Sequence, residues 1–323
     1  LDTSLIRNHY EFDDFIQIKT LGNSAQLHYN LKDKLLYVLK KFNRKDKESQ
    51  KLYNRELEFY NSISNGNQFI SKLFGKFEHE GFNYLVIEYI EGQILLESIL
   101  NKSIDTFDMI KIIIEMILAV EYVHSKKFVL RDLKFDNVIL DSNNDAILID
   151  FDRSIRVDTT ESDNQNKTGD IGCIYFIAPE QFQKSEYSFK SDVYSLGMII
   201  HMILTNKSYS DILTYQYLTG IFNKKQSVNQ LDEFTKVPEK FELFKYIYQD
   251  CFNFDPESRP MVIELFYNFL KSSQQIVEIN SQKYINDLVI IVFRQMQQVF
   301  GIKNNEEFKL TKLVNFKSFW TNK

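Results

Sequence analysis

The sequence predicts an α+β fold in which a small strand-rich lobe precedes a larger helical lobe. Two observations lead to this prediction: β-prone segments dominate as far as about residue 89, and helical patterns dominate from about residue 93. A chain of 323 residues with 44% hydrophobic content is long enough for one large domain or two packed lobes.

The first lobe is predicted from short apolar runs and one amphipathic stretch. Residues 15–18, 35–39 and 82–87 are rich in β-branched, aromatic and other apolar side chains, which is typical of strands. Residues 45–60 begin with charged side chains and continue into apolar ones, which favours a helix. We therefore expect a sheet accompanied by a single helix.

The second lobe is predicted from long apolar segments. Residues 109–123 are apolar on nearly every face, as expected for a helix buried inside a larger lobe. Asp105 and Thr106 are suitable caps for the start of this helix. Helical patterns resume at residues 192–204 and continue to about residue 269.

Two segments after the buried helix carry the residue types that phosphoryl transfer requires. Residues 130–137 read Leu-Arg-Asp-Leu-Lys-Phe-Asp-Asn, and residues 147–152 read Ile-Leu-Ile-Asp-Phe-Asp. Asp132 offers a carboxylate that can accept the proton of a hydroxyl group, and Lys134 can reach the transferring phosphate. Asn137 and Asp150 offer the hard oxygen ligands that suit Mg²⁺.

These segments resemble the catalytic loop and the Asp-Phe-Gly motif of the eukaryotic-type protein kinase family, in its Ser/Thr form. Residues 37–40, Tyr-Val-Leu-Lys, resemble the strand that carries the phosphate-binding lysine. The resemblance implies a two-lobed kinase-like fold, ATP and Mg²⁺ as cofactors, and Lys40 paired with Glu56 rather than Glu58. It also implies that Asp132, Lys134, Lys40 and Glu56 are catalytic and that Asn137 and Asp150 bind the metal.

The resemblance extends along most of the chain. Ala-Pro-Glu at residues 178–180, Asp192 and Arg259 resemble later kinase motifs, which implies a structural ion pair between Glu180 and Arg259. We predict a kinase domain at residues 12–271, with lobes at about 12–88 and 93–271. Ile87 would be the gatekeeper, and the nucleotide would contact Leu21, Gly22, Tyr29, Val38, Lys40, Glu88, Ile90 and Ile139.

Several positions depart from the family pattern. Leu130 stands in the histidine position, where it would join an apolar stack with Tyr60, Leu73 and Phe151. Asp152 and Cys173 replace a glycine and a threonine. The glycine-rich loop keeps only Gly22, and the third glycine is aligned with Leu27. We therefore expect Leu27→Gly, alone or with Ser24→Gly, to tighten nucleotide binding or raise turnover.

These observations predict an ATP- and Mg-dependent protein kinase that acts on Ser/Thr hydroxyls. Two alternatives remain open: a weak or inactive kinase-like scaffold, suggested by the degraded glycine-rich loop, and a small-molecule phosphotransferase, suggested by Asp150-Phe151-Asp152. Arg131 resembles the family's receptor for an activation-loop phosphate, for which Thr168 is the nearest acceptor. Phosphorylation there would order the loop.

The remaining expectations concern partners and location. A net charge of −5 argues against a nucleic-acid partner, and no apolar run is long enough to cross a bilayer. With no signal-peptide pattern at the start and two cysteines in all, we expect a cytoplasmic protein with a protein substrate. Residues 272–323 are predicted to form a helical extension, which either packs on the domain or serves as a docking or dimerisation element.

Overall fold

The computed structural model describes residues 10–63, 67–101, 104–157, 176–184, 186–205 and 237–276. Strands predominate in its first part and helices in its second. The strands are β1 (Phe15–Thr20), β2 (Ala25–Asn30), β3 (Leu36–Asn43), β4 (Leu73–His79), β5 (Phe82–Glu88), β6 (Gly92–Ile94), β7 (Phe128–Val129), β8 (Val138–Asp141), β9 (Ala146–Leu148) and β10 (Ile155–Arg156). The helices are α1 (Lys47–Ser62), α2 (Leu95–Leu100), α3 (Thr106–Ser125), α4 (Pro179–Lys184), α5 (Phe189–Thr205), α6 (Glu242–Tyr248) and α7 (Val262–Ile276).

The first lobe is a five-stranded sheet in the order β1-β2-β3-β5-β4, with every neighbouring pair antiparallel. Helix α1 begins at the cap residue Asp46, whose side chain accepts a hydrogen bond from the Ser49 amide at 2.9 Å. Its buried residues Glu56, Phe59 and Tyr60 follow i, i+3, i+4 spacing and so lie on one face of the helix. This spacing turns one carboxylate into the interior together with two aromatic rings.

The two faces of this sheet bury different side chains. Alternation along β3 sends Tyr37 and Leu39 to one face, where they join an aromatic cluster that includes Phe15 and Tyr84. Lys40 belongs to the opposite face and points toward the second lobe, where it meets acidic side chains of other elements. The sheet therefore has an aromatic outer face and an inner face that carries a buried cation.

Helix α3 is the centre of the second lobe. Residues 109–120 are all buried, and the helix packs against α5 and α7. The predicted cap is confirmed, because the Asp105 side chain accepts a hydrogen bond from the Asp108 amide at 2.8 Å. An all-round apolar surface of this kind requires packing partners on several sides.

Two polar residues of α3 hold the small sheet that carries the catalytic segments. The Lys111 ammonium lies 2.5 Å from the Asn143 carbonyl oxygen and 2.5 Å from Asp145. Glu115 accepts a hydrogen bond from the Ala146 amide at 2.8 Å. Both side chains are buried, and each is compensated by a partner as buried charges require. The turn between β8 and β9 is thereby tied to the core helix.

The predicted α+β architecture with two lobes is confirmed. Strands β2 and β4 were not predicted from local pattern, whereas the helices at α1, α3 and α5 were. The limits of the domain stay predictions, and all but the first few residues of the expected extension at 272–323 lie outside the described residues. Within the described part of the chain, every helix is too short or too polar to cross a membrane.

Candidate active site

Lys40 is the centre of a cluster of charges between the lobes. Its ammonium nitrogen lies 2.8 Å from Glu56 Oε2, 2.5 Å from Asp150 Oδ1 and 3.0 Å from Asp152 Oδ2. The Lys40 side chain is 6% exposed and that of Glu56 is fully buried, so this ion pair is shielded from solvent. The predicted pair between Lys40 and Glu56 is therefore present, and Asp152 adds a contact that the sequence did not reveal.

Burial and neighbouring charge act in opposite directions on these groups. Burial raises the pKa of Glu56 to about 7, although the Lys40 ammonium opposes the rise. The three carboxylates raise the pKa of Lys40 well above its ordinary value and outweigh its burial. The Lys40 ammonium lowers the pKa of Asp150 despite burial of that carboxyl, while burial raises the pKa of Asp152. Lys40 is thus held as a cation.

The catalytic-loop residues meet around Asp132. Lys134 Nζ lies 2.6 Å from Asp132 Oδ2, and Nδ2 of the Asn137 side chain donates to the Asp132 carbonyl oxygen at 2.9 Å. Arg153 Nε is 3.8 Å from the same carboxylate oxygen. Asp132, Asn137 and Asp150 line one small pocket, together with Leu130, Leu133, Leu148, Ile149 and Phe151. The sequence-predicted base and both predicted metal ligands are therefore brought together.

Asp192 on α5 holds the backbone of this loop. Its carboxylate accepts hydrogen bonds from the Leu130 amide at 2.7 Å and the Arg131 amide at 3.0 Å, and it also contacts His124 at 2.9 Å. Arg131 and Asp150 have φ values of 68° and 64°, in the left-handed region that non-glycine residues rarely adopt. Such strain persists only where surrounding contacts enforce it.

The nucleotide-loop prediction needs correction at Leu27. The turn between β1 and β2 consists of residues 21–24, and Leu27 lies inside β2 directly opposite Val38. Ala25 of the same strand is opposite Lys40, so Leu27 lies on the cleft face, and the residue is 4% exposed. Leu27 is therefore a buried residue of β2 on the side of the sheet that faces the cleft, and it does not belong to the loop. The sequence pattern did not predict this position, because strand register also depends on the turns at both ends of the strand.

The turn itself is tight, and two of its backbone amides form hydrogen bonds within it. The amides of Leu21 and Gly22 both donate to the Ala25 carbonyl oxygen, at 2.9 and 3.2 Å. A side chain at Gly22 would meet nothing within 4 Å, so no close contact requires glycine there. Tyr29 lies two residues beyond Leu27 and is opposite Leu36, which is four residues before Lys40 in β3. Its contact with the nucleotide stays a prediction.

The remaining predicted nucleotide contacts lie at the junction of the lobes. Glu88 ends β5 and is held by Lys72, whose amide donates to its carboxylate at 3.1 Å. Ile90, which follows β5, is buried, and the partly buried Ile139 of β8 pairs with Ile94 of β6. Gly92 of β6 approaches β8 closely, since a Cβ there would lie 2.0 Å from the Leu140 carbonyl oxygen.

The aromatic part of the predicted apolar stack is present, and it contains one additional ring. Phe151 packs edge-on against Tyr60 with centroids 5.6 Å apart, and it also stacks on Phe59 at 4.0 Å. Leu130 and Phe151 are both buried in the main core, and Leu73 packs against it. Leucine in place of histidine at residue 130 is therefore compatible with this stack. The sequence did not predict that Phe59 joins the stack, because its partner Phe151 lies 92 residues later in the chain.

Two further predicted residues, Glu180 and Arg259, form their ion pair with Nη1–Oε1 at 2.7 Å. Arg131 has a partner that the sequence did not indicate, because its guanidinium lies 3.8 Å from the centre of the Tyr187 ring. Thr168 and Cys173 lie outside the described residues. The phosphorylation hypothesis therefore stays a prediction.

The residues present suit a magnesium–nucleotide complex. The Asp150 side chain is 40% exposed, and Asp150 and Asn137 both line the same pocket. Oxygen donors of this kind are the ligands that Mg²⁺ prefers, and a buried ammonium is a suitable counter-ion for phosphate. Glu56, Asp150 and Asp152 also bring their carboxylate oxygens within 4.8 Å of one another.

The chain is similar to known proteins over most of its length. A family model described as "Protein kinase domain" matches residues 21–269. The chain is 25% identical to 3-phosphoinositide-dependent protein kinase B of Dictyostelium discoideum, over 83% of this chain and 30% of that protein. It is 30% identical to a probable serine/threonine-protein kinase KIN1 homolog of Enterocytozoon bieneusi, over 71% of this chain and 40% of that protein.

Serine/threonine-protein kinase D of Synechocystis is likewise 30% identical, over 69% of this chain and 42% of the relative. The chain thus spans less than half the length of these curated relatives. The family model nevertheless matches most of the chain, in the region that contains the whole charge cluster. The chain belongs to the protein kinase domain family.

Proposed function

We propose that this protein transfers the γ-phosphate of ATP to serine or threonine hydroxyls of a protein substrate, with Mg²⁺ as the metal. The observation that carries the proposal is the meeting of Asp132, Asn137 and Asp150 in one pocket, beside a lysine held by Glu56. These side chains come from four separate segments of the chain. Their convergence supports phosphoryl transfer more strongly than any one motif.

Each residue has a role that follows from its position. Asp132 accepts the proton of the substrate hydroxyl and orients that hydroxyl for attack. Lys134, 2.6 Å from Asp132, neutralises charge beside the transferring group. Lys40 binds nucleotide phosphates, and Glu56 keeps its ammonium in place. Magnesium–ATP supplies the phosphoryl group and would be held by Asn137 and Asp150.

The decisive experiment is a phosphotransfer assay with radiolabelled ATP and a mixed peptide library. Asp132→Asn is expected to lower turnover by ~10²–10⁴ while nucleotide affinity is retained, because only proton transfer and orientation are lost. Asp136→Asn is a matched control, since Asp136 is an exposed carboxylate in the same segment. Near-normal turnover of Asp132→Asn would exclude Asp132 as the base.

The scaffold alternative is favoured by the short turn at residues 21–24, which contains a single glycine. Calorimetry with ADP and Mg²⁺ separates the two functions, because a scaffold of this kind would bind no nucleotide. The buried ion pair of Glu180 and Arg259 supports a protein kinase over a small-molecule phosphotransferase. Small alcohols should accordingly be poor phosphate acceptors in the same assay.

The peptide library also separates serine and threonine acceptors from tyrosine. The identity of the protein substrate, a cytoplasmic location and the absence of a nucleic-acid partner stay predictions. The docking or dimerisation role of residues 272–323 also stays a prediction.

A further inference from the structure

Asp152 occupies the position at which the resemblance leads one to expect glycine. Its backbone is not in the left-handed region, whereas that of Asp150 is, so an aspartate is accommodated there without strain. Its carboxylate lies 3.0 Å from Lys40 Nζ and is 18% exposed. The side chain thus contacts the same ammonium that is proposed to bind nucleotide phosphate.

The charges around Lys40 do not balance. Three carboxylates, those of Glu56, Asp150 and Asp152, share the one ammonium that contacts them directly. Lys134 and Arg153 also act electrostatically on Asp150 and Asp152, and so offset part of the negative charge. Glu56 lies on the enclosed side and is fully buried, whereas the two aspartates are partly exposed and border the open side. A phosphate that approaches Lys40 from the cleft must therefore pass the two aspartates, which repel it.

From this arrangement we infer that Asp152 is a positioning residue that makes nucleotide binding depend on a divalent cation. Without the cation, Asp152 and the nucleotide phosphates compete for Lys40. A divalent cation at Asp150 neutralises the excess negative charge and draws the Asp152 carboxylate, two residues away, from the ammonium. Lys40 is then released to the phosphate. This inference rests on the proposed nucleotide site.

The test compares ADP affinity with and without divalent cation. Isothermal calorimetry is performed on the wild-type protein and on Asp152→Asn and Asp152→Gly, once in EDTA and once in MgCl₂. Both variants should bind ADP about tenfold more tightly than wild type in EDTA, because one repelling charge is removed. The gain should be much smaller in MgCl₂, where the cation already offsets that charge.

Glu58→Gln is the matched control. Glu58 is an exposed carboxylate on α1, two residues beyond Glu56, so its removal changes the net charge equally. It should leave ADP affinity unchanged in both buffers. Melting curves without ligand establish that each variant is folded, and Asp152→Asn preserves the side-chain shape if Asp152→Gly lowers stability.

The possible outcomes distinguish this inference from the proposed function. If the wild type binds no ADP even in MgCl₂, the proposed function and this inference fail together. If the wild type binds ADP in MgCl₂ but the Asp152 variants match it in EDTA, only the inference about Asp152 is wrong. An equal gain in both buffers would also contradict it, since the effect would then be independent of the cation.

Discussion

The Arg259 guanidinium donates two parallel hydrogen bonds to the Glu180 carboxylate, from Nη1 to Oε1 at 2.7 Å and from Nη2 to Oε2 at 2.8 Å. Its other donors reach the carbonyl oxygens of Asn253 at 2.8 Å and Lys190 at 2.9 Å. The Arg259 side chain is 0% exposed. This residue therefore joins the start of α4, the start of α5 and the turn before α7.

Replacing Arg259 with Leu should destabilise the protein strongly. The change leaves the Glu180 carboxylate buried without a counter-ion and removes five side-chain hydrogen bonds, one of them to the Phe254 carbonyl oxygen, so we expect a loss of ~3–5 kcal/mol in the free energy of unfolding. Urea denaturation measures the loss. Arg44→Gln is the comparison, because Arg44 pairs with Glu78 at the surface and should cost less than ~1 kcal/mol. Similar losses in both variants would contradict the structural role of the buried pair.

Leu27→Gly should lower both the stability of the first lobe and the affinity for nucleotide. This is the opposite of the expectation from the sequence. The substitution opens a cavity beside Val38 and places glycine inside a strand, so a loss of ~2–5 kcal/mol is expected. Leu27→Val keeps most of the apolar surface and should behave nearly as wild type. Thermal denaturation and ADP calorimetry measure the two effects. Tighter ADP binding by Leu27→Gly would contradict this expectation and would support the alignment of Leu27 with the third glycine of the loop.

Cys251 should be unreactive in the folded protein. Burial raises the pKa of the Cys251 thiol to about 12, and the side chain is 0% exposed. Since the thiolate is the reactive form, alkylation at pH 8 should modify Cys251 only after unfolding in guanidinium chloride. Peptide mass spectrometry distinguishes this residue from Cys173. Gly197 of α5 lies directly beside the Cys251 side chain, and rapid modification of Cys251 under native conditions would contradict this packing.

Tyr187 should stabilise the position of Arg131 through its ring rather than its hydroxyl group. The guanidinium carbon lies 3.8 Å from the ring centroid, a distance typical of a cation–π contact. Tyr187→Leu should lower the free energy of unfolding by ~0.5–2 kcal/mol, whereas Tyr187→Phe should not. Chemical denaturation of the two variants measures the difference. Equal losses in Leu and Phe would instead assign the effect to the hydroxyl group.

The local sequence determined much of the architecture and part of the site. Residues 109–123 are apolar on nearly every face, which favours a buried helix, and β3 and β5 are long enough to be recognised from composition alone. Asp132, Lys134 and Asn137 meet because they lie within one short segment, so their contacts follow from their spacing. Such features depend on neighbouring residues and can be predicted without knowledge of the fold.

Only the tertiary structure decided which distant side chains share one environment. Leu27 lies above the cleft because the register of β2 on β3 places it opposite Val38, and register depends on turn geometry as well as on the hydrophobic pattern of the strand. Asp152 contacts Lys40 across 112 positions of sequence because both lobes direct charged side chains into the same cleft. Electrostatic energy depends on distance and burial in space, which the order of residues along the chain does not specify.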